Sequence, residues 1–342
     1  MALPAEPILA SSRWIHEQGR KSTTPANASG QRSALTIGIR AADDVLGRCI
    51  QPGHITCMTA DPGTGERELC EAIVVAHLLG APDAVATIVD TGSSFDVRKV
   101  HRLTLERVRD HEDASKSALQ VLDRLKIMKV FDFEGLKDAL SELRQSASHQ
   151  SATSGKSHHE TRAPRGTVSD SEDEDEMLDG WQPTQPEPAT PIKPQPAPAH
   201  ITASGLLLIN NLPQVISPLI KSNYAQGQAL LVSFMRSLSH LAKARTLRTI
   251  IVNGTSTFGK SKEETPSAFA SCTVRPLLGK AFTHLLDTHL LVHQTLKRGH
   301  EGKSNARSDV SVIEVVQDRH GDGLGRWAAF TVDQMGRLAD VD

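Results

Sequence analysis

The apolar positions of this chain fall into short solid runs separated by amphipathic stretches, and that alternation predicts its elements. Residues 35–39 lead into a short helix over 41–47 that ends at Gly47. Gln51-Pro52-Gly53 turns the chain into an apolar strand over 55–59. After a glycine turn, the spacing of Leu69, Ile73, Val74, Ala76 and Leu78 predicts a helix over 68–79, packed between a sheet and neighbouring helices. A second β-branched run, 84–89, lies between Pro82 and Asp90-Thr91-Gly92 and reads as a buried parallel strand. A helix over 97–109, a strand over 125–131 and a helix over 133–143 continue the βα order. Such alternation predicts an α/β fold with a doubly wound, mostly parallel sheet flanked by helices.

The pattern stops at about residue 146. From 146 to 203 Ser, His, Thr and Pro dominate, with an acidic run from Asp170 to Glu176 and prolines at almost every second or third place over 183–198. Such a stretch has too little apolar surface to build a core and reads as a long disordered insertion, most simply a solvated spacer. Order resumes with an apolar strand over 205–211, a helix over 227–245 with Leu230, Leu231, Phe234, Leu238 and Leu241 on one stripe, and a strand over 249–253. Strand-like runs at 285–292, 311–316 and 328–332 predict an antiparallel C-terminal edge. The expected organisation is a disordered arm over 1–34 and one domain in two parts, 35–145 and 204–342, around the insertion at 146–203.

Composition narrows this little. A net charge of −2 over 342 residues gives no whole-chain basic footprint for nucleic acid. The four cysteines form no C-x-x-C pair, which argues against a zinc site or a disulfide framework. No run approaches the length of a membrane span, and the first 30 residues lack the apolar core of an export signal. Neither a membrane nor a metal is expected; His158-His159 lies within the insertion.

The candidate chemistry lies between the strand at 55–59 and the helix at 68–79. Strand, glycine turn and helix have the layout of a phosphate-binding loop, G-x-x-x-x-G-K-[ST]. Ala60 stands at the first glycine; Asp61, Pro62, Gly63, Thr64 and Gly65 make the turn; Glu66 and Arg67 replace the lysine and the hydroxyl residue. A carboxylate there repels a triphosphate, and a guanidinium cannot ligate Mg²⁺. On these residues alone, a strand-turn-helix with no nucleotide role is the other reading.

Taken in order, these segments resemble the RecA-like core of the eukaryotic strand-exchange recombinases, and more closely their diverged paralogues, especially the D-type. The resemblance rests on Thr36-x-Gly38-Ile39, Asp43/Asp44, Leu46-Gly47, Ile50-x-x-Gly53-x-Ile55-Thr56, the loop above, Val89-Asp90-Thr91-Gly92-Ser93-Ser94-Phe95, Leu206 to Leu219, Ile251-Val252-Asn253 and Arg275-Pro276-x-Leu278-Gly279-Lys280-x-Phe282. It implies an ATP site in which the loop lysine and hydroxyl fall on Glu66 and Arg67, the water-activating glutamate on Gly92, and the Mg²⁺-holding aspartate on Asn210. Losing charge neutralisation, general base and metal ligand together predicts a pseudo-ATPase with no cofactor and no catalytic residue, ATP and Mg²⁺ being held only if a partner completes the site.

The resemblance further implies a nuclear, non-catalytic subunit in double-strand break repair by homologous recombination, assisting recombinase assembly on single-stranded or branched DNA with other paralogues and the recombinase itself. The family's helical module before the core is expected to be missing or reduced. Lys260 and Lys262 are candidate DNA contacts, with His300, Lys303 and Arg307 in a later loop, although a few exposed bases are more often solvated surface. The alternatives are a DNA-stimulated ATPase completed in trans and a RecA-like scaffold outside recombination.

Overall fold

The computed structural model describes residues 35–110, 112–153, 205–256, 267–269, 272, 274–296 and 309–341. The arm, most of the insertion with its acidic run, His158-His159, Lys260, Lys262, His300, Lys303 and Arg307 lie outside the described residues. In chain order the elements are α1 (Arg40–Cys49), β1 (Ile55–Ala60), α2 (Glu66–Gly80), β2 (Val85–Asp90), α3 (Val97–Arg107), α4 (Ala114–Leu122), β3 (Leu125–Lys129) and α5 (Phe133–Thr153). They continue as β4 (Gly205–Asn210), α6 (Pro213–Ser222), α7 (Tyr224–Arg245), β5 (Arg248–Asn253), β6 (Thr255–Ser256), β7 (Arg275–Pro276), α8 (Gly279–Thr283), β8 (Thr288–Leu296), β9 (Asp309–Asp318), β10 (Trp327–Val332) and β11 (Leu338–Asp340).

One nine-stranded sheet runs in the order β11-β10-β9-β8-β1-β5-β4-β2-β3. Strands β8 through β3 pair in parallel, with β1 held between β5 (Ile55 opposite Thr249) and β8 (Thr56 opposite Thr288). The edge β9-β10-β11 is antiparallel. The alternation of a strand's side chains is visible in β4: Leu206 and Leu208 belong to the core under α1 and α2, whereas Leu207 and Ile209 belong to the core under α5, α6 and α7. A strand buried on both faces takes apolar residues on both, which is why β4 and the middle of β5 read as solid runs and β1 as a largely apolar one.

The fold is the expected doubly wound α/β sheet with an antiparallel C-terminal edge, and three details differ. The run at 285–292 contributes to β8, which joins β1 in parallel and carries the antiparallel partner β9 only on its other side. α5 continues to Thr153, so the first residues assigned to the insertion are helical. α4 and α6 are additional; α6 starts at Pro213, where a missing N–H costs nothing, and tolerates Pro218 inside.

Candidate nucleotide site

β1 ends at Ala60, which is buried, and residues 61–65 turn the chain into α2. Gly63 and Gly65 hold left-handed φ values of +84° and +87°. Inside the turn the Thr64 N–H and hydroxyl both donate to the Asp61 carbonyl, at 3.3 and 2.8 Å. From outside, the Thr255 hydroxyl donates to the Asp61 carboxylate and the Gln294 amide to the Gly63 carbonyl at 3.4 Å. Pro62 and Gly63 are exposed while Thr64 is buried. At Gly65, a Cβ would lie 2.6 Å from Val332 Cγ2 and 2.9 Å from Phe330 Cε2, so the start of α2 sits tight against β10. Turn geometry and packing account for this glycine without any phosphate.

Glu66 and Arg67 open α2, with Glu68 completing an acidic first turn. A helix N-terminus carries a positive partial charge that favours an anion, and here the chain's own carboxylates supply it. Burial raises the Glu66 pKa, partly opposed by the neighbouring Arg67, whose side chain is exposed.

Across the sheet, the ends of β2 and β4 meet in a closed polar cluster. Asn210 Nδ2 donates to Asp90 Oδ1 at 3.1 Å and to Ser94 Oγ at 3.0 Å. Asp90 also accepts from the Gly92 N–H at 3.3 Å and the Phe95 N–H at 3.0 Å. The Thr91 hydroxyl bonds the Asn210 and Asn211 carbonyls at 2.9 and 2.6 Å. An aspartate at 210 would set a second carboxylate against Asp90 at hydrogen-bond distance and would call for a cation between them; the amide needs none. Gly92 is exposed, and a Cβ there would meet Asn211 Nδ2 at 3.4 Å and Ser94 Oγ at 3.6 Å, ordinary contacts. Space for a side chain exists at Gly92, and what is lacking is the carboxylate.

A second polar tier lies below the loop. The Thr59 hydroxyl pairs with His289 Nε2 at 2.8 Å and accepts from Asn253 Nδ2 at 3.1 Å, tying β1 to β8 and β5. Burial lowers the His289 pKa to about 4, so its ring is neutral at pH 7. Asp90 and Ser94 lie in a segment quoted above for the resemblance, but their contacts, and those of Thr59 with His289, are not legible in the sequence; only register brings these residues together.

These residues do not fit MgATP. Glu66 places a carboxylate beside the phosphate position, Arg67 offers no metal-ligating oxygen, and the Asn210 amide is committed to Asp90 and Ser94. The loop, Gly92 and Asn210 thus stand on one carboxyl edge of the parallel strands, the edge at which such sheets hold their ligands. Among the described residues no group of three or more His, Cys, Asp and Glu could hold a metal ion, and no helix is long and apolar enough to cross a membrane.

Comparison with known proteins agrees with the fold. No protein-family model matches the chain. It is similar to the DNA repair protein RAD51 homolog 4 of Bos taurus, at 20% identity over 268 residues covering 78% of this chain, and to that of Mus musculus, at 22% over 272 residues covering 79%. The chain spans 64% of the length of each of these relatives. Its fold is similar to that in the crystal structure of the RadB recombinase, with a TM-score of 0.54 at 14% identity, over 90% of this chain and 100% of that one.

Proposed function

Since the chain is a RecA-like relative of the Rad recombinase paralogues, we propose that it is a non-catalytic subunit serving homologous-recombination repair in the nucleus, docking other paralogues and the recombinase on single-stranded DNA. The observation that carries this reading is a loop kept in shape by Gly63, Gly65 and Thr64 while a carboxylate, Glu66, opens its helix and the Asn210 amide is committed to Asp90 and Ser94. RecA-like domains assemble head-to-tail, a contact that a subunit without chemistry can still make.

Two measurements test it. In calorimetric titration the isolated chain gives no Mg²⁺-dependent heat with ATP; Glu66→Lys with Arg67→Thr raises affinity, and turnover stays absent because Gly92 and Asn210 remain. Micromolar MgATP binding by the unmodified chain would refute the proposal. In cells, loss of the protein causes sensitivity to DNA crosslinks and Glu66→Ala restores resistance fully. Null cells as resistant as wild type would count against a role in recombination. Failure of Glu66→Ala at normal protein level would favour an ATP site completed by a partner.

A further inference from the structure

The charges of this chain are segregated along the sequence. No Asp or Glu occurs between Glu187 and Glu263, so α6, α7 and β5 carry Lys221, Arg236, Lys243, Arg245 and Arg248 without one carboxylate. The reverse holds just upstream, where Asp170, Glu172, Asp173, Glu174, Asp175 and Glu176 place six carboxylates in seven residues.

Two of these bases, Arg236 and Arg245, meet Arg144 of α5 where α7 runs beside it. A shallow groove of about 550 Å³ is lined by Arg144, Arg236, Ser237, His240 and Arg245, and a second, of about 490 Å³, continues it along α7 past Arg236 to Ser233 and Gln228. The helices are fixed to each other at this point: Arg144 donates to the Ser237 carbonyl at 3.2 Å and Arg245 to the Arg144 carbonyl at 2.6 Å. Arg144, Arg236 and His240 are exposed. Glu142, on the neighbouring turn of α5, is paired with Lys126 and so is partly neutralised.

Chain length permits the acidic run to reach the groove. Arg144 lies nine residues before the end of α5 at Thr153, about 13.5 Å along a helix. Asp170 follows Thr153 by 17 residues, a path of up to roughly 58 Å when extended. A tethered acidic segment acts at an effective concentration in the millimolar range, enough to occupy a site whose free affinity is weak.

We propose that the run from Asp170 to Glu176 docks in cis on the basic groove between α5 and α7. Docking there rests on the chain's own charges and holds whether or not the chain acts in recombination. Contacts between exposed charges are individually weak, so docking depends on several at once and fades as salt rises.

The test uses the full chain and a labelled peptide of residues 168–178. In a neutralised chain, all six carboxylates are exchanged for amides (Asp→Asn, Glu→Gln). At low salt the neutralised chain binds the peptide at least threefold more tightly than wild type, whose groove is already occupied. Physiological salt weakens that binding severalfold. Adding Arg236→Glu to the neutralised chain abolishes binding, and circular dichroism and melting confirm that this variant is folded. Equal peptide binding by the two chains, no binding by either, or binding that survives Arg236→Glu would each overturn the proposal. So would a neutralised chain that binds a single-stranded oligonucleotide through Arg236 but not the peptide.

Discussion

Lys99→Met will destabilise the folded chain by about 3–5 kcal/mol at pH 8, the range expected when one member of a buried ion pair is removed, and by roughly 1 kcal/mol less at pH 5. Lys99 reaches from α3 to α2, its ammonium 2.7 Å from Glu68 and 3.1 Å from Glu71. The Glu71 side chain is fully buried, and its Oε1 has no hydrogen-bond partner among the described residues. Burial raises the Glu71 pKa from 4.5 to about 7, against the pull of Lys99. A carboxyl group that holds its proton longer when folded makes stability fall as pH rises, here between about 4.5 and 7, and level off above. Without the ammonium, ionising Glu71 costs still more, so the loss grows with pH. Denaturant melts at the two pH values measure it, and Glu71→Gln combined with Lys99→Met should recover most of the loss by leaving no buried charge. A pH-independent loss would show that Lys99 acts through Glu68 or packing and not through the charge of Glu71.

Gly65→Ala will cost about 2–5 kcal/mol, the sum of roughly 1–2 for a left-handed backbone and 1–3 for overpacking. The new methyl would start 2.6 Å from Val332 Cγ2 and 2.9 Å from Phe330 Cε2, and Phe330 is fully buried. Gly63 supplies the control, since its φ of +84° is comparable but a Cβ there meets nothing within 4 Å. Gly63→Ala should therefore cost only the backbone part, and thermal melts of the two variants separate the contributions. Equal losses would mean that β10 yields and that packing does not hold this glycine in place.

What could be read beforehand follows from where side chains point. β1, the loop, α2, β4 and α7 show in the sequence because solid apolar runs and a 3.6-residue stripe report burial directly. α6 does not show, because Pro213 and Pro218 are turn signals unless the neighbouring helix is known. The reach of α5 to Thr153 is hidden by a polar composition that resembles the stretch beyond it. The parallel pairing of β8 with β1 is hidden because a strand apolar on both faces has no signature of direction. At the site, Glu66 and Arg67 could be set against a loop motif and Gly92 and Asn210 against the family resemblance, but the Asp90–Asn210–Ser94 cluster required two distant segments to be set side by side.

The position of β1 also governs when this protein can complete its sheet. Both neighbours of β1 come from far downstream; Thr59 and its partner Asn253 are 194 residues apart in sequence, and β8 is later still. At typical translation rates a ribosome needs roughly 10–40 s to make that much chain. Throughout that interval the nascent β1 exposes a strand destined for full burial, with no place yet in a sheet, and it must be kept from pairing with other chains. Yield in the cell should then depend on chaperone capacity during synthesis more than on the stability of the finished fold, and slowing elongation would lower it.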